Sequence, residues 1–87
     1  MKYFVYLLIS GSKEKSVTYV GYTSNIKNRL KLHNNSKGAK FTRGRQWKLL
    51  YKKAFNTKSS AMKYEYLLKK NIKKRSIIKK KFLKNMS

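Results

Sequence analysis

Apolar residues follow two different spacings along the chain, and the first of these predicts three strands. Residues 2–9, KYFVYLLI, are apolar on both alternating faces and rich in aromatic and β-branched side chains, which indicates a strand covered on both sides. Residues 10–16 have the composition of a hairpin loop, and residues 17–22, VTYVGY, predict a second strand antiparallel to the first. Residues 47–55, WKLLYKKAF, predict a third strand, less regular than the first.

The second spacing is helical and predicts three helices. Thr23 or Ser24 is expected to cap a first helix that runs to about His33. A second helix, from about 58 to 73, is expected to follow a cap at Asn56 or Thr57, and a third amphipathic helix is expected over 76–85.

The order β-β-α-β-α-α predicts an α+β fold with a small three-stranded antiparallel sheet flanked by helices. No proline, internal repeat or linker interrupts the pattern, and 87 residues suit one domain, so we predict a single domain over residues 1–87.

The charge of the chain is strongly unbalanced. Twenty-four Lys and Arg residues face two acidic residues, Glu14 and Glu65, for a formal net charge of +22. Because such a chain repels itself unless a polyanion or counterions neutralise it, nucleic acid is the first expected partner and an anionic membrane surface the second. Most of the cations are Lys, which suits contact with the phosphate backbone more than reading of base edges.

Other features of the composition exclude several classes of protein. The chain has no Cys, so disulfides and thiolate metal sites are excluded. No apolar stretch approaches the roughly 20 residues that span a bilayer, and no small-residue cleavage site follows the N-terminal apolar run. We therefore expect a soluble cytoplasmic protein, with the nucleoid as one possible location and no membrane as a partner.

Two candidate residues lie on the first predicted helix. Ile26 and Leu30 define its apolar face, and Arg29 and His33, four positions apart, lie beside that face rather than on the solvated side. Taken alone, Arg29 could cover apolar surface with its stem, and His33 could be an ordinary histidine at a helix end.

Glu65 is the candidate on the second predicted helix. It occupies the middle of an apolar stripe formed by Ala61, Leu68 and Ile72. A carboxylate on a buried face is costly unless a cation pairs with it. An ordinary pair with Lys69 fits the helical wheel poorly, because Lys69 lies further towards the polar side, so a divalent metal or Arg29 is expected to be the partner.

Tyr6 and Tyr19 lie near the middle of the first two strands, and a hairpin can bring them together, although the loop does not fix the register. Gly21 would let a ligand or a backbone approach closely. For most of the seven tyrosines, core packing is the explanation that we adopt.

These motifs together resemble the GIY-YIG endonuclease domain. The two halves of that motif are represented by FVY, Phe4 to Tyr6, and YVG, Tyr19 to Gly21, while Arg29 and Glu65 match the helix arginine and the later acid. The run 33–51 is similar to the small stand-alone bacterial members, which resemble the nuclease domain of the UvrC repair enzyme. The resemblance covers about residues 2–75.

The resemblance implies single-metal hydrolysis of a DNA phosphodiester, as structure-selective or non-specific nicking in repair or recombination. It implies that Glu65 holds Mg²⁺ or Mn²⁺ and that Arg29 contacts the scissile phosphate. It also implies that Tyr19 orients or deprotonates the attacking water, while Tyr6 and His33 position the phosphate or relay the proton. A base role needs a lowered tyrosine pKa, and the field of the basic residues acts in that direction.

Basic residues outside this constellation are expected to contact the DNA backbone. Tyr22 stands where some relatives carry a lysine that assists the reaction, and Lys27 or Lys40 could serve instead. Loop 36–45 carries two glycines that would let backbone amides approach phosphates. The expected nucleic-acid contacts are Lys27, Lys37, Lys40, Arg43 and Arg45.

Two other functions stay open. The chain could be a non-catalytic nucleic-acid-binding module that keeps the fold, or a nuclease that needs a partner protein or domain to recognise its substrate. It could also be a basic protein of the membrane surface or the ribosome, a function that only the net charge supports. Glu65 favours catalysis, since a simple binding module has no need of a carboxylate at that position.

Overall fold

The computed structural model describes residues 1–11 and 15–86, so the middle of the predicted hairpin loop, with Glu14, lies outside the described residues. The elements follow the predicted order and confirm the α+β fold, with one short addition. The strands are β1 (Tyr3–Gly11), β2 (Ser16–Thr23) and β3 (Lys48–Phe55), and the helices are α1 (Ile26–Asn34), α2 (Lys58–Lys70) and α3 (Ile72–Met86). The addition is a 3₁₀ turn over Lys40–Thr42, between α1 and β3.

The sheet has the strand order β2-β1-β3, and β1 is antiparallel to both neighbours. In the β1–β2 hairpin, Tyr6 lies opposite Gly21 and Leu8 lies opposite Tyr19. Side chains 5–10 of β1 are all buried, which confirms that the central strand is covered on both faces.

The two faces of β1 belong to two separate hydrophobic clusters. Val5 and Leu7 pack with Val20 of β2 and with Ala61 and Leu68 of α2. On the opposite face, a second cluster contains Tyr6, Leu8 and Trp47 and is bordered by Ile26 and Leu30 of α1. Burial of each large apolar side chain stabilises the fold by roughly 1.5–3 kcal/mol, so β1 is the main source of hydrophobic stabilisation.

The cap of α1 differs from the predicted one. Asn25 is the N-cap, and its side-chain oxygen accepts a hydrogen bond from the Asn28 backbone N–H at 3.1 Å. The Thr23 hydroxyl instead accepts from the Asn25 backbone N–H at 3.1 Å and shapes the turn before the helix. The prediction of Thr23 or Ser24 as the cap was therefore wrong, because three polar residues in a row could each have served. At α2, Thr57 is the cap, one of the two predicted candidates.

The boundary between the last two helices also differs from the prediction. The α2 helix ends at Lys70 rather than near 73, and α3 begins at Ile72 rather than at 76. Asn71 explains both shifts, because its side chain accepts from the Lys74 backbone N–H at 3.0 Å and so starts α3 immediately. Arg75 then donates to the carbonyls of Leu68 and Lys69, which satisfies the exposed end of α2.

This boundary changes which apolar side chains reach the core. Ile72 was predicted to extend the stripe of α2, but it is 71% exposed, because the break at Asn71 starts a new helix with a different orientation. Ile77 is also exposed, whereas Ile78 packs on the core cluster. Within the described part of the chain, none of the helices has the length and apolar character needed to cross a membrane.

Candidate active site

A cavity of about 300 Å³ opens at the β2 edge of the sheet and brings together four of the five predicted catalytic residues. Its lining consists of Tyr6, Tyr19, Gly21, Tyr22, Thr23, Arg29 and Glu65. These residues come from β1, β2, α1 and α2, so residues distant in sequence converge there. The fifth, His33, does not line the cavity and lies behind Tyr6.

The register of the hairpin places the two tyrosines. Because Tyr6 lies directly opposite Gly21, its ring extends across the position where a side chain on residue 21 would project. A Cβ atom at that position would overlap the Tyr6 hydroxyl. Gly21 therefore leaves the space that Tyr6 occupies, and the Tyr6 and Tyr19 ring centroids lie 6.5 Å apart.

A buried chain of hydrogen bonds holds the Tyr6 hydroxyl. The Thr42 hydroxyl donates its single proton to the Ala39 carbonyl at 2.8 Å, so it accepts from His33 Nδ1, which is also 2.8 Å away. His33 Nδ1 consequently carries the ring proton, and His33 Nε2 accepts from the Tyr6 hydroxyl at 2.9 Å. This direction of the bond from Tyr6 belongs to the neutral ring, since a charged His33 would donate from both nitrogens.

The electrostatic surroundings agree with this assignment. Burial, helped by the nearby Arg29 charge, lowers the pKa of His33 below its usual 6.5. Burial raises the pKa of Tyr6 to about 12, although a hydrogen bond from Arg29 acts in the opposite direction. The lowered tyrosine pKa expected from the basic field is therefore not found at Tyr6, since loss of solvation outweighs the field there.

Arg29 places a positive charge at the cavity. The side chain is half-buried, and its Nε atom is buried without a hydrogen-bond partner among the residues that the structure describes. A guanidinium that lines a cavity is suited to an incoming anion, because its charged N–H groups donate strong hydrogen bonds. A phosphate oxygen has the geometry that a guanidinium binds best.

Glu65 reaches the same cavity, and its side chain is 19% exposed. Its Oε1 lies 3.5 Å from Lys69 Nζ, so the pair that the helical wheel disfavoured is formed. The long lysine side chain spans the angle between Lys69 and Glu65 around the helix axis, so the prediction against this pair was wrong. Because Lys69 is 52% exposed, solvent screens this i, i+4 pair, which contributes only about 0.3–0.5 kcal/mol and leaves the carboxylate available to a stronger cation.

The donor set fits Mg²⁺ better than a transition metal. Among residues 1–11 and 15–86, no group of three or more His, Cys, Asp or Glu side chains could enclose a metal ion. Mg²⁺ is commonly held by one or two carboxylates together with water and substrate phosphate. Glu65, beside a cavity with room for water and a phosphate group, meets that requirement.

The predicted nucleic-acid contacts do not line the cavity but are all exposed near α1 or along the loop after it. These residues are Lys27, Lys37, Lys40, Arg43 and Arg45. The loop is held in place by hydrogen bonds, because Trp47 Nε1 donates to the Thr42 carbonyl at 3.0 Å and the Gly44 N–H donates to the Ser36 hydroxyl at 3.0 Å. Its basic side chains therefore project from a defined backbone.

Sequence reasoning missed three residues that shape the site. Thr42 is completely buried and fixes the His33 tautomer, and Gly38 packs so closely on the His33 ring that a Cβ atom would overlap it. Phe41 stacks on Tyr19, with ring centroids 6.0 Å apart. The only signal in the sequence was the position of all three within nine residues of His33, which does not separate them from their basic neighbours.

The comparison with known protein families gives one assignment. Residues 2–81 match the GIY-YIG catalytic domain. The chain is 45% identical over 69 residues to a UPF0213 protein of Oceanobacillus iheyensis, an alignment that covers 78% of this chain and 77% of the relative.

Two further similarities concern proteins of the same name. A UPF0213 protein of Bacillus licheniformis is 57% identical over 53 residues, and the aligned part covers 60% of this chain but only 55% of the relative. The solution NMR structure of a UPF0213 protein from Bacillus halodurans is 37% identical, covers 88% of this chain and 83% of that one, and superposes with a TM-score of 0.46.

Proposed function

Because the chain belongs to the GIY-YIG catalytic domain family, we propose that it is a metal-dependent DNA endonuclease that hydrolyses phosphodiester bonds. The observation that carries the proposal is the convergence of Tyr19, Arg29 and Glu65 on one cavity of about 300 Å³. A carboxylate, a guanidinium and a phenol around one space suit a phosphodiester and an attacking water. We further propose that the enzyme nicks DNA during repair or recombination, and that it either recognises a particular DNA structure or cuts without sequence preference.

Arg29 binds the scissile phosphate in this mechanism. The guanidinium, which lines the cavity, would donate to a non-bridging phosphate oxygen, where negative charge grows as water attacks. Because the guanidinium is already half-buried and held by α1, little reorganisation is needed at the moment of reaction.

Glu65 would hold Mg²⁺ or Mn²⁺, and the weakness of its pair with the exposed Lys69 favours exchange of that partner for the metal. When bound, such an ion supplies positive charge that stabilises the phosphate oxygens and the leaving 3′ oxygen. The negative charge of the pentacovalent transition state would thus lie between the Glu65 side of the cavity and Arg29.

The two tyrosines have different roles. Tyr19 lies on the wall of the cavity, where its hydroxyl oxygen would accept a hydrogen bond from the attacking water and orient it, and the proton that the water loses would pass to bulk solvent. Tyr6, with its pKa raised to about 12, keeps its proton near neutral pH and directs it to His33 Nε2. The chain beyond His33 ends on the Ala39 carbonyl, which does not take up a proton, so Tyr6 and His33 do not conduct protons away. Instead, the Tyr6 oxygen accepts from Arg29 and helps to hold the guanidinium that binds the phosphate.

The test is cleavage of labelled single-stranded, duplex, flap and junction DNA with Mg²⁺ or Mn²⁺. We expect Glu65→Gln to reduce cleavage by at least about a hundredfold, on the order of the loss seen when one transition-state contact is removed. Lys63→Gln, on the exposed face of the same helix, is the matched control and should cleave at close to the wild-type rate. Circular dichroism should show that all three proteins fold alike.

The second candidate is a non-catalytic nucleic-acid-binding module. The Glu65–Lys69 pair favours it to the extent that the carboxylate already has a cation as partner. Tight DNA binding by the wild type with no cleavage of any substrate in either metal would establish this function in place of the nuclease, or would point to a partner that supplies substrate recognition.

A further inference from the structure

The 3₁₀ turn beside the cavity presents its side chains in an unusual way. Thr42, a polar residue, is completely buried, while its neighbour Phe41 is 57% exposed. The buried hydrogen bonds of Thr42 to His33 and Ala39, and the bond from Trp47 Nε1 to its carbonyl, hold the turn in this orientation. The phenyl ring is thus kept in solvent at a fixed position, although its burial would be favourable.

One side of the exposed ring is already occupied by the site. The Phe41 ring stacks on Tyr19 with an interplanar angle of 20° and lies 6.4 Å, centroid to centroid, from Trp47. Phe41 is therefore the outermost member of an aromatic group that leads from the buried Tyr6 and His33 to the surface. Its solvated surface is a flat apolar platform next to the proposed reaction centre.

A second cavity, of about 280 Å³, lies between this platform and the last two helices. Its lining consists of Thr18, Tyr19, Val20, Phe41, Lys69 and Arg75. Tyr19 also lines the candidate active site, and Lys69 pairs with Glu65 there, so the two cavities are adjacent. An aromatic ring and two cations are the features that bind a base and its phosphate.

Arg75 and Lys69 contribute differently to this second cavity. The Arg75 guanidinium is engaged with the carbonyls of Leu68 and Lys69, so it supplies a fixed positive charge. Lys69 is exposed. In the sequence, Lys40 directly precedes Phe41, and Arg43 directly follows Thr42, the buried residue that holds the turn. The charge around Phe41 is therefore positive on both sides, which excludes a cationic partner and favours a polyanion.

We propose that this second cavity is a subsite for one unpaired nucleotide, whose base stacks on Phe41 while Lys69 contacts its phosphate. The proposal rests on the proposed function for its nucleic-acid substrate and adds the substrate class. Inside a duplex both faces of a base are covered by its neighbours, so a base can stack on Phe41 only where the DNA is single-stranded or distorted. The enzyme should therefore prefer such DNA next to the bond that it cuts.

The test compares two single-stranded ligands of equal length and charge, oligo(dT) and a chain of abasic nucleotides. Binding is measured by fluorescence anisotropy in EDTA, so that no cleavage occurs. We expect Phe41→Ala to weaken oligo(dT) binding on the order of tenfold and to leave binding of the abasic chain unchanged, because only the stacking is lost. Phe41→Trp should keep the affinity for oligo(dT).

Tyr66→Ala is the matched control, because Tyr66 is an aromatic residue on α2 with 56% exposure and lines neither cavity. It should leave both affinities unchanged. Equal weakening of both ligands by Phe41→Ala would overturn the proposal and show that the ring only supports the loop, and no weakening of either would also overturn it. So would a Phe41-dependent change in self-association or in vesicle binding without any dependence on bases.

The outcome is separable from that of the proposed function. Base-dependent binding through Phe41 without metal-dependent cleavage would keep the nucleotide subsite and reject the nuclease. Cleavage lost in Glu65→Gln, with oligo(dT) affinity that is insensitive to Phe41, would keep the nuclease and reject the subsite.

Discussion

At the scale of single residues, the candidate site depends on one buried hydroxyl. Thr42 accepts from His33 Nδ1 at 2.8 Å, so it determines that His33 Nε2 faces the Tyr6 hydroxyl as an acceptor. Thr42→Val keeps the shape but leaves the His33 N–H unsatisfied in a buried position. We expect a loss of about 1–3 kcal/mol in the free energy of unfolding, measured with urea, and a fall in cleavage from misplacement of Tyr6.

Thr42→Ser is the control for this variant, because it keeps the hydroxyl and removes only a methyl group, worth about 0.8 kcal/mol. Nitrogen NMR of the His33 ring should find the proton on Nδ1 in the wild type and in the serine variant. A valine variant as active as the serine variant would contradict the role of the hydroxyl.

His33 also makes a prediction about pH. Its pKa in the folded protein lies below the usual 6.5, so between these two values the unfolded chain binds a proton that the folded chain does not. Stability contributed by the neutral ring is therefore fully present above pH 6.5 and is lost as the pH falls towards the folded-state pKa. The slope should reach at most about 1.4 kcal/mol per pH unit.

The chain has one His and two acidic residues, so few other groups titrate in this range. Urea denaturation of the wild type at pH 7.0, 6.0 and 5.0 should show the decline, and His33→Gln should show a weaker one. Proton NMR titration of His33 in the folded wild type gives an independent check, and a measured pKa at or above 6.5 would refute the prediction.

At the scale of elements, the sequence predicted the order and type of every strand and helix but not their junctions. The strands were predictable because β1 is apolar on both faces and β2 follows it after a short loop. The 3₁₀ turn was not, because it depends on the bond of Thr42 to the His33 ring, nine residues away. The start of α3 was not, because nothing in the sequence singles out Asn71 as the residue that ends one helix and caps the next, with Arg75 satisfying the end of α2.

The same difference holds for the candidate site. Tyr6, Tyr19, Arg29 and Glu65 could be predicted because each had a local signal, a strand position or a place on a helix wheel, and a resemblance that joined them. Phe41 and Thr42 had no such signal. Their importance comes from the burial of Thr42 and the exposure of Phe41, which the sequence does not reveal. The Glu65–Lys69 pair was wrongly disfavoured because a wheel describes Cα directions and not the reach of a lysine.

The junction between α2 and α3 gives a prediction at this scale. Asn71 ends one helix and caps the next, with its side chain accepting from the Lys74 N–H at 3.0 Å. Asn71→Ala should lower the free energy of unfolding by about 1 kcal/mol, the usual loss when a cap is removed. Asn71→Asp should be close to the wild type in stability, since it caps equally well and the gain from its negative charge at the N-terminus of α3 is offset at the C-terminus of α2. Urea midpoints measure both, and an alanine variant equal to the wild type would show that Arg75 alone secures the junction.

At the scale of the whole molecule, the charge acts against the fold. A net charge of +22 is distributed over a body with principal extents of 36, 28 and 21 Å. The screening length is about 30 Å at 10 mM salt, comparable to these extents, and about 10 Å at 100 mM. At low salt nearly all of the cations therefore repel one another, whereas at higher salt only near neighbours do. Tm should rise as NaCl increases from 10 to 300 mM, which differential scanning fluorimetry can follow.

A double variant separates this long-range repulsion from local effects. Lys63→Gln with Lys73→Gln lowers the net charge by two at exposed positions on α2 and α3. If repulsion across the molecule limits stability, this variant should melt at a higher temperature than the wild type at 10 mM NaCl, and the difference should shrink at 300 mM. A difference that is the same at both salt concentrations would instead reflect the helix preferences of the substituted residues. The same repulsion is relieved when DNA phosphates cover the basic surface. The wild type, which should be less stable than the double variant at low salt, should therefore also gain more stability from bound DNA.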